Sequence, residues 1–296
     1  MDILKKCNLC SRNCLVNRYK EIGYCKQTNK IRVAKAALTY YEEPCISNNK
    51  GSGTIFFSGC NMGCIYCQNI DISTNNYGRD ITNDRLANIM LELQQKGAIN
   101  INLVTPTPHI IGIKEAIIKA KEKGLKIPII YNTGSYENIN SLKLLNGLID
   151  VYLPDLKYYN DNIAIKYSNT KNYFNIATNN IKEMYNQVGT PKFDRNGNII
   201  KGVIVRHLML PTHLDDSKQI IKYLYDTYKD NIYLSIMNQY TVIKPLKYKE
   251  LNHRIKNKDY EELIDYAINI GIKNAYCQLN KTSNKKYIPN FDLEGI

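Results

Sequence analysis

The stretch TIFFSGCNMGCIYCQN, residues 54–69, decides how this chain is read. It opens as a short β-rich run, TIFF (54–57), and runs into three cysteines, Cys60, Cys64 and Cys67. A structural zinc site takes four ligands, and disulfides consume thiols in pairs. Three thiols with no fourth thiol or histidine beside them leave a metal coordination position open, which marks chemistry rather than scaffolding. Spacing alone keeps two metals in play. One is a [4Fe–4S] cluster on three thiolates, with one iron lacking a protein ligand. The other is zinc, completed by Cys45 or a distant histidine.

The surrounding chain supports a metal. It has 296 residues, 44% hydrophobic and 23% charged, enough for one large α/β-barrel-type domain or two ordinary ones. The N-terminus, MDILKKCNLC, has no apolar run of signal-peptide length. No stretch approaches the ~20 apolar residues of a membrane span. The expectation is a cytoplasmic protein with no membrane partner. In a reducing compartment nine cysteines are not expected to pair as disulfides, and their clustering points to metal. Cys45 and Cys277 stand apart from the clusters and are expected as buried apolar filler.

Net charge is +13, which can attract nucleic acid or an acidic protein. The lysines are scattered, however, in KEKGLK (121–126), KPLKYK (244–249) and NKTSNKK (280–286). The 24 tyrosines beside no tryptophan fit the same compositional bias toward Lys, Asn, Ile and Tyr. A nucleic-acid partner is therefore only weakly supported.

Residues 1–30 are polar and need a staple to fold. Cys7-x2-Cys10-x3-Cys14-x10-Cys25 supplies one, because four sulfur ligands close a tetrahedral site that contributes folding energy. Zinc and an auxiliary iron–sulfur cluster both suit four thiolates. IRVAKAALTY (31–40) reads as a strand leading to a turn at Pro44. A strand–helix alternation follows. Strands are expected at 54–57, 101–104, 127–131, 149–153, 202–210 and 232–237. Helices are expected at 82–97, 111–124, 137–147, 216–229 and 259–271, with Thr82 as a cap candidate. A weakly patterned stretch includes 181–189, and RNGN (195–198) carries a tight-turn signature. Short strands that are apolar on both sides, alternating with helices, imply a parallel sheet covered by helices. The fold class is α/β: a partial (β/α)6 TIM-type barrel over 46–296 with a Cys-rich metal-binding extension over 1–45. Reactive groups gather at the C-terminal ends of such strands. The cysteine loop, TPTPH (105–109), NTGSY (132–136) and PDLK (154–157) all follow strand ends.

The loop resembles the signature of the radical SAM superfamily, C-x3-C-x-aromatic-C, with Tyr66 in the aromatic slot. The chain is further similar to pyruvate formate-lyase activating enzymes, and most to those of the PflX type. That likeness is carried by CNLC…VNR…GYC, EEPCIS, NINLVTP, YNTGSYE, LPDLKY and VRHLMLP. It implies a [4Fe–4S] cluster on Cys60, Cys64 and Cys67 whose fourth iron chelates S-adenosylmethionine. Reduction then cleaves the sulfonium to a 5′-deoxyadenosyl radical that abstracts a hydrogen atom. Tyr66 looks like the side chain lying against the adenine. Asn132 and Thr133 stand where an Asp-Thr pair helps hold the cofactor. Asp155 and Lys157 match an Asp-x-Lys element beside its carboxylate, and Arg206 matches an arginine on a later strand.

Two departures stand out. Thr105-Pro106-Thr107-Pro108 replaces a Gly-Gly-Glu-Pro turn, so Thr105, Thr107 and carbonyls are expected to supply acceptors. Gln68-Asn69 replaces His-Asn. No residue beyond the cluster ligands is assigned as catalytic.

Among the histidines, one of Arg206 and His207 is expected to face the interior, because they alternate on a strand. His109 is a weaker candidate, and His213 and His253 are expected in solvent. The resemblance implies a protein substrate, with activation of a glycyl-radical enzyme as the leading expectation, and an electron donor such as flavodoxin or ferredoxin. An RNA-modifying enzyme and a zinc-stapled binding module without catalysis are the alternatives.

Overall fold

The computed structural model describes residues 2–278 and 289–296; the lysine run at 280–286 lies outside them. In chain order the elements are β1 (Ile31–Thr39), α1 (Pro44–Ser47), β2 (Ser52–Phe57), α2 (Ile70–Ser73), β3 (Arg79–Ile81), α3 (Asn83–Gln95) and β4 (Ile101–Val104). Then come α4 (Ile110–Glu122), β5 (Ile129–Thr133), α5 (Ile139–Lys143), β6 (Val151–Pro154), α6 (Asp161–Ser168) and α7 (Tyr173–Val188). β7 (Lys192–Phe193), β8 (Ile199–Leu208), α8 (Leu214–Tyr228), β9 (Tyr233–Met237), α9 (Asn257–Asn269) and β10 (Ala275–Cys277) complete the described chain.

One sheet runs in the order β10-β9-β8-β6-β5-β4-β2-β1-β3. From β2 to β10 every neighbouring pair is parallel. The six expected strands are thus joined by a seventh parallel strand, β10. β1 and β3 close the other edge antiparallel. β2, β4 and β6 are buried at every position, as strands covered on both faces must be. On one face Ile55, Leu103, Tyr131 and Val205 pack with helix residues such as Leu86 and Ile113. On the other, Ile130, Val151, Leu153 and Ile204 close over Cys45 and Ile46 of α1. Pro44 therefore opens a helical turn that plugs the inner face, where a simple turn was expected; proline is well suited to that first helical position.

Local chemistry sets the helix ends. Thr82 Oγ1 accepts the Arg85 N–H at 3.1 Å and caps α3. The weakly patterned stretch holds two helices, α6 and α7, separated by left-handed Asn169 and Asn172. The helix expected over 137–147 is regular only over Ile139–Lys143.

The extension expected over 1–45 divides at β1, which hydrogen-bonds along β2 as part of the sheet. Residues 2–30 form a knob with neither helix nor strand. It docks through a bridge between Cys10 and Glu137 and through buried Arg18, which donates to the Pro108 carbonyl at 2.5 Å. Cys277 differs from expectation: it is exposed, whereas Cys45 is buried.

Candidate active site

The C-terminal ends of the parallel strands open into a cleft of about 610 Å3, the size of a small-molecule site. The loop after β2 brings Cys60, Cys64 and Cys67 to its lining, with Tyr66. β4, β5, β6 and β8 deliver Thr105, Asn132, Asp155, Lys157 and Arg206 to the same space. Five strand ends, from the loop at Cys60 to Arg206, meet there because parallel strands all end on one rim.

Each loop cysteine has a donor aimed at its sulfur. The Met62 N–H points at Cys60 Sγ (3.4 Å), the Ser168 hydroxyl at Cys64 Sγ (2.9 Å) and the Ser73 hydroxyl at Cys67 Sγ (3.3 Å). Burial, reinforced by Cys64, pushes the free Cys60 thiol up to about 12. Burial likewise raises Cys67. Half-buried sulfurs faced by donors fit metal-bound thiolates, which accept hydrogen bonds and hold no proton. Among the described residues, no three Cys, His, Asp or Glu side chains converge tightly enough to grip a single metal ion.

The knob lies directly on this loop. Gly59 and Gly63 have φ of +81° and +79°, and a Cβ on Gly59 would sit 2.5 Å from the Cys25 carbonyl. One on Gly63 would meet the Tyr24 hydroxyl at 2.6 Å. Arg12 donates to the Asn61, Met62, Ser168 and Asn169 carbonyls, its guanidinium 3.9 Å from the Tyr24 ring centroid. Within the knob, Cys14 Sγ and Cys25 Sγ lie 3.4 and 3.6 Å from where a Gly23 Cβ would be. Burial pushes Cys10 up to about 12 and also raises Cys25.

Lys157 pairs with Asp155 on the cleft wall. Burial pulls its ammonium down, but the carboxylate more than compensates and its pKa rises. Arg206 is held by Glu42 and Glu43, which spacing did not reveal. Burial opposes its charge, but the two carboxylates hold its pKa well above the ordinary value.

Thr107 and Thr133 do not line the cleft. Both hydroxyls donate to buried Glu137, Thr107 at 2.7 Å. Burial raises the Glu137 pKa against those hydrogen bonds, and its second oxygen has no hydrogen-bond partner among the described residues. Arg206 and His207 divide as their alternation requires: Arg206 faces the cleft, while His207 bonds the Leu156 carbonyl and the Ser217 hydroxyl beneath α8. His109 is buried against the Ser58 carbonyl at 2.9 Å, under the start of the cysteine loop. His213, expected in solvent, bonds the Tyr167 hydroxyl; His253 is exposed.

A nearly barrel-shaped parallel sheet whose first strand ends in three cysteines is the architecture of radical SAM enzymes. The radical SAM superfamily model matches residues 54–224, and the chain belongs to that superfamily. It is 30% identical over 278 residues to an uncharacterized protein of Methanocaldococcus jannaschii, covering 90% of this chain and 75% of the relative. A second protein of that organism, provisionally named a glycyl-radical enzyme activating enzyme, is 32% identical over 108 residues, 36% of this chain and 44% of its own. Among solved structures, Streptococcus suis SuiB bound to S-adenosylmethionine aligns with TM-score 0.51 at 11% identity, over 75% of this chain and 49% of SuiB. SuiB bound to its precursor peptide SuiA aligns with TM-score 0.50 at 14% identity, over 75% of this chain and 47% of that one. This chain thus spans about half the length of SuiB. No helix among the described residues is long and apolar enough to cross a membrane.

Proposed function

We propose that this radical SAM enzyme reductively cleaves S-adenosylmethionine at a [4Fe–4S] cluster held by Cys60, Cys64 and Cys67, and abstracts a hydrogen atom from a protein. The observation that carries this is one cleft lined by three donor-faced thiols on one side and by Asp155, Lys157, Asn132, Thr105 and Arg206 on the other. Bound together, cluster and cofactor supply one-electron cleavage of the sulfonium. The chain's own part is to bind and orient. Lys157, fixed by Asp155, offers a cation to the cofactor carboxylate. The Asn132 amide and the Thr105 hydroxyl offer acceptors to its amino group. The Tyr66 ring, tilted on Tyr240 with centroids 5.9 Å apart, forms the wall for the adenine.

A protein substrate is supported by the distant activating-enzyme relative and by the SuiA peptide bound to SuiB. A glycyl-radical enzyme is the particular substrate proposed, with a flavodoxin or ferredoxin as electron donor. The thiols of Cys7, Cys10, Cys14 and Cys25, two of them gathered beside Gly23, are proposed to hold a second metal, zinc or an auxiliary cluster.

Anaerobic reconstitution tests the reading. The protein should take up iron and sulfide at the loop and release 5′-deoxyadenosine from S-adenosylmethionine under dithionite. Zinc in the loop, or a cluster with four protein donors, would overturn it. Metal analysis after replacing the three loop cysteines by alanine reports the knob site alone.

A further inference from the structure

A chain of hydroxyls runs from the cleft wall to one cysteine. Tyr66 Oη lies 2.7 Å from Tyr158 Oη, Tyr158 Oη 2.5 Å from Ser168 Oγ, and Ser168 Oγ 2.9 Å from Cys64 Sγ. Tyr158 and Ser168 are fully buried. Ser168 ends α6, where Asn169 turns left-handed at φ +50°. The Arg12 guanidinium donates to the Ser168 carbonyl at 3.1 Å, so a side chain of the knob anchors the backbone that carries the hydroxyl.

We infer that Ser168 and Tyr158 are positioning residues that set the reduction potential of the cluster at Cys64. The inference rests on reading the loop as a cluster site. A metal-bound thiolate has no proton, so Cys64 accepts and Ser168 donates. Ser168 must then accept from Tyr158, and Tyr158 from Tyr66. Cluster assembly thus gives the whole chain one direction, with every donor polarised toward the sulfur. A hydrogen bond to a cluster thiolate stabilises the more negative, reduced state and raises its potential. The Tyr66 hydroxyl, committed to this chain, also keeps its ring in one orientation at the cleft.

The test is a redox titration of the reconstituted full chain, followed by electron paramagnetic resonance without S-adenosylmethionine. Ser168→Ala should lower the midpoint so that the reduced-to-oxidised ratio at a given poise falls about tenfold, which is 59 mV for a one-electron couple. Tyr158→Phe should move it the same way by less, and Ser168→Thr, which keeps the hydroxyl, should restore it. If Ser168→Ala does not hold its cluster, Tyr158→Phe decides. A wild-type midpoint in either variant at full iron and sulfide content overturns the inference. A wild-type protein that assembles no cluster overturns the cluster reading, and this inference with it.

Discussion

Arg206 grips Glu43 with two hydrogen bonds, Nε to Oε1 at 2.8 Å and Nη2 to Oε2 at 2.5 Å, joining β8 to the turn before α1. Glu42 binds the same Nη2. Burial works against the Glu43 charge, but Arg206 holds its carboxyl below the usual range. Arg206→Met would strand two carboxylates side by side in the cleft wall. Breaking a buried pair from one side costs about 3–5 kcal/mol. The urea midpoint should drop accordingly, and Glu43→Gln in the same background should recover part of it. An unchanged midpoint in Arg206→Met would show the pair to be idle.

Cys64→Ala should abolish release of 5′-deoxyadenosine while leaving the fold in place. The loop lies on the rim of the barrel, and Cys64 is only partly buried against the edge of the core, outside the ladders that join β4, β5 and β6. Circular dichroism and the thermal midpoint check the fold; a yield equal to wild type would refute the ligand assignment.

Acid should unfold the protein from within. Burial depresses both His109 and His207 to about 4 from 6.5. Between those values the unfolded chain binds protons that the folded chain refuses, so stability is intact above about pH 6.5 and falls as pH drops toward 4. Each histidine contributes at most ~3 kcal/mol to that fall. Denaturant titrations at pH 7 and pH 4.5 should differ by several kcal/mol, and His207→Gln should flatten the slope. A pH-independent midpoint across that window contradicts it.

Gly59 joins a positive φ to a close approach by the knob. Alanine there would be strained and would press on the Cys25 carbonyl, so about 2–4 kcal/mol of stability should be lost. Substitution of Gly97, whose Cβ would meet nothing within 4 Å, should show the backbone strain alone. Equal losses at both glycines would mean that the knob does not bear on the loop.

Arg12→Ala should loosen the cysteine loop, because one guanidinium serves four carbonyls on two segments. Hydrogen exchange at residues 60–67 should accelerate by tenfold or more. Arg12→Lys should rescue only part, since an ammonium lacks the planar fork. Wild-type protection in Arg12→Ala would remove the clamp from the account.

What the sequence by itself determined is local. The three cysteines and Tyr66 occupy eight consecutive positions, so spacing displays them whole. Thr82 before α3, and the apolar runs of β2, β4 and β6, are equally short-range signals, and the barrel class follows from their alternation. What only the tertiary structure decided joins residues far apart in the chain. Ser168 reaches Cys64 across 104 positions, and Arg206 reaches Glu43 across 163. Thr107 and Thr133 are the sharpest case. Thr105, Asn132 and Gly134 line the cleft, yet the hydroxyls of Thr107 and Thr133 turn to Glu137. Which way a side chain points at a strand end depends on pleat and register, and these are set by the neighbouring strands rather than by the residue itself.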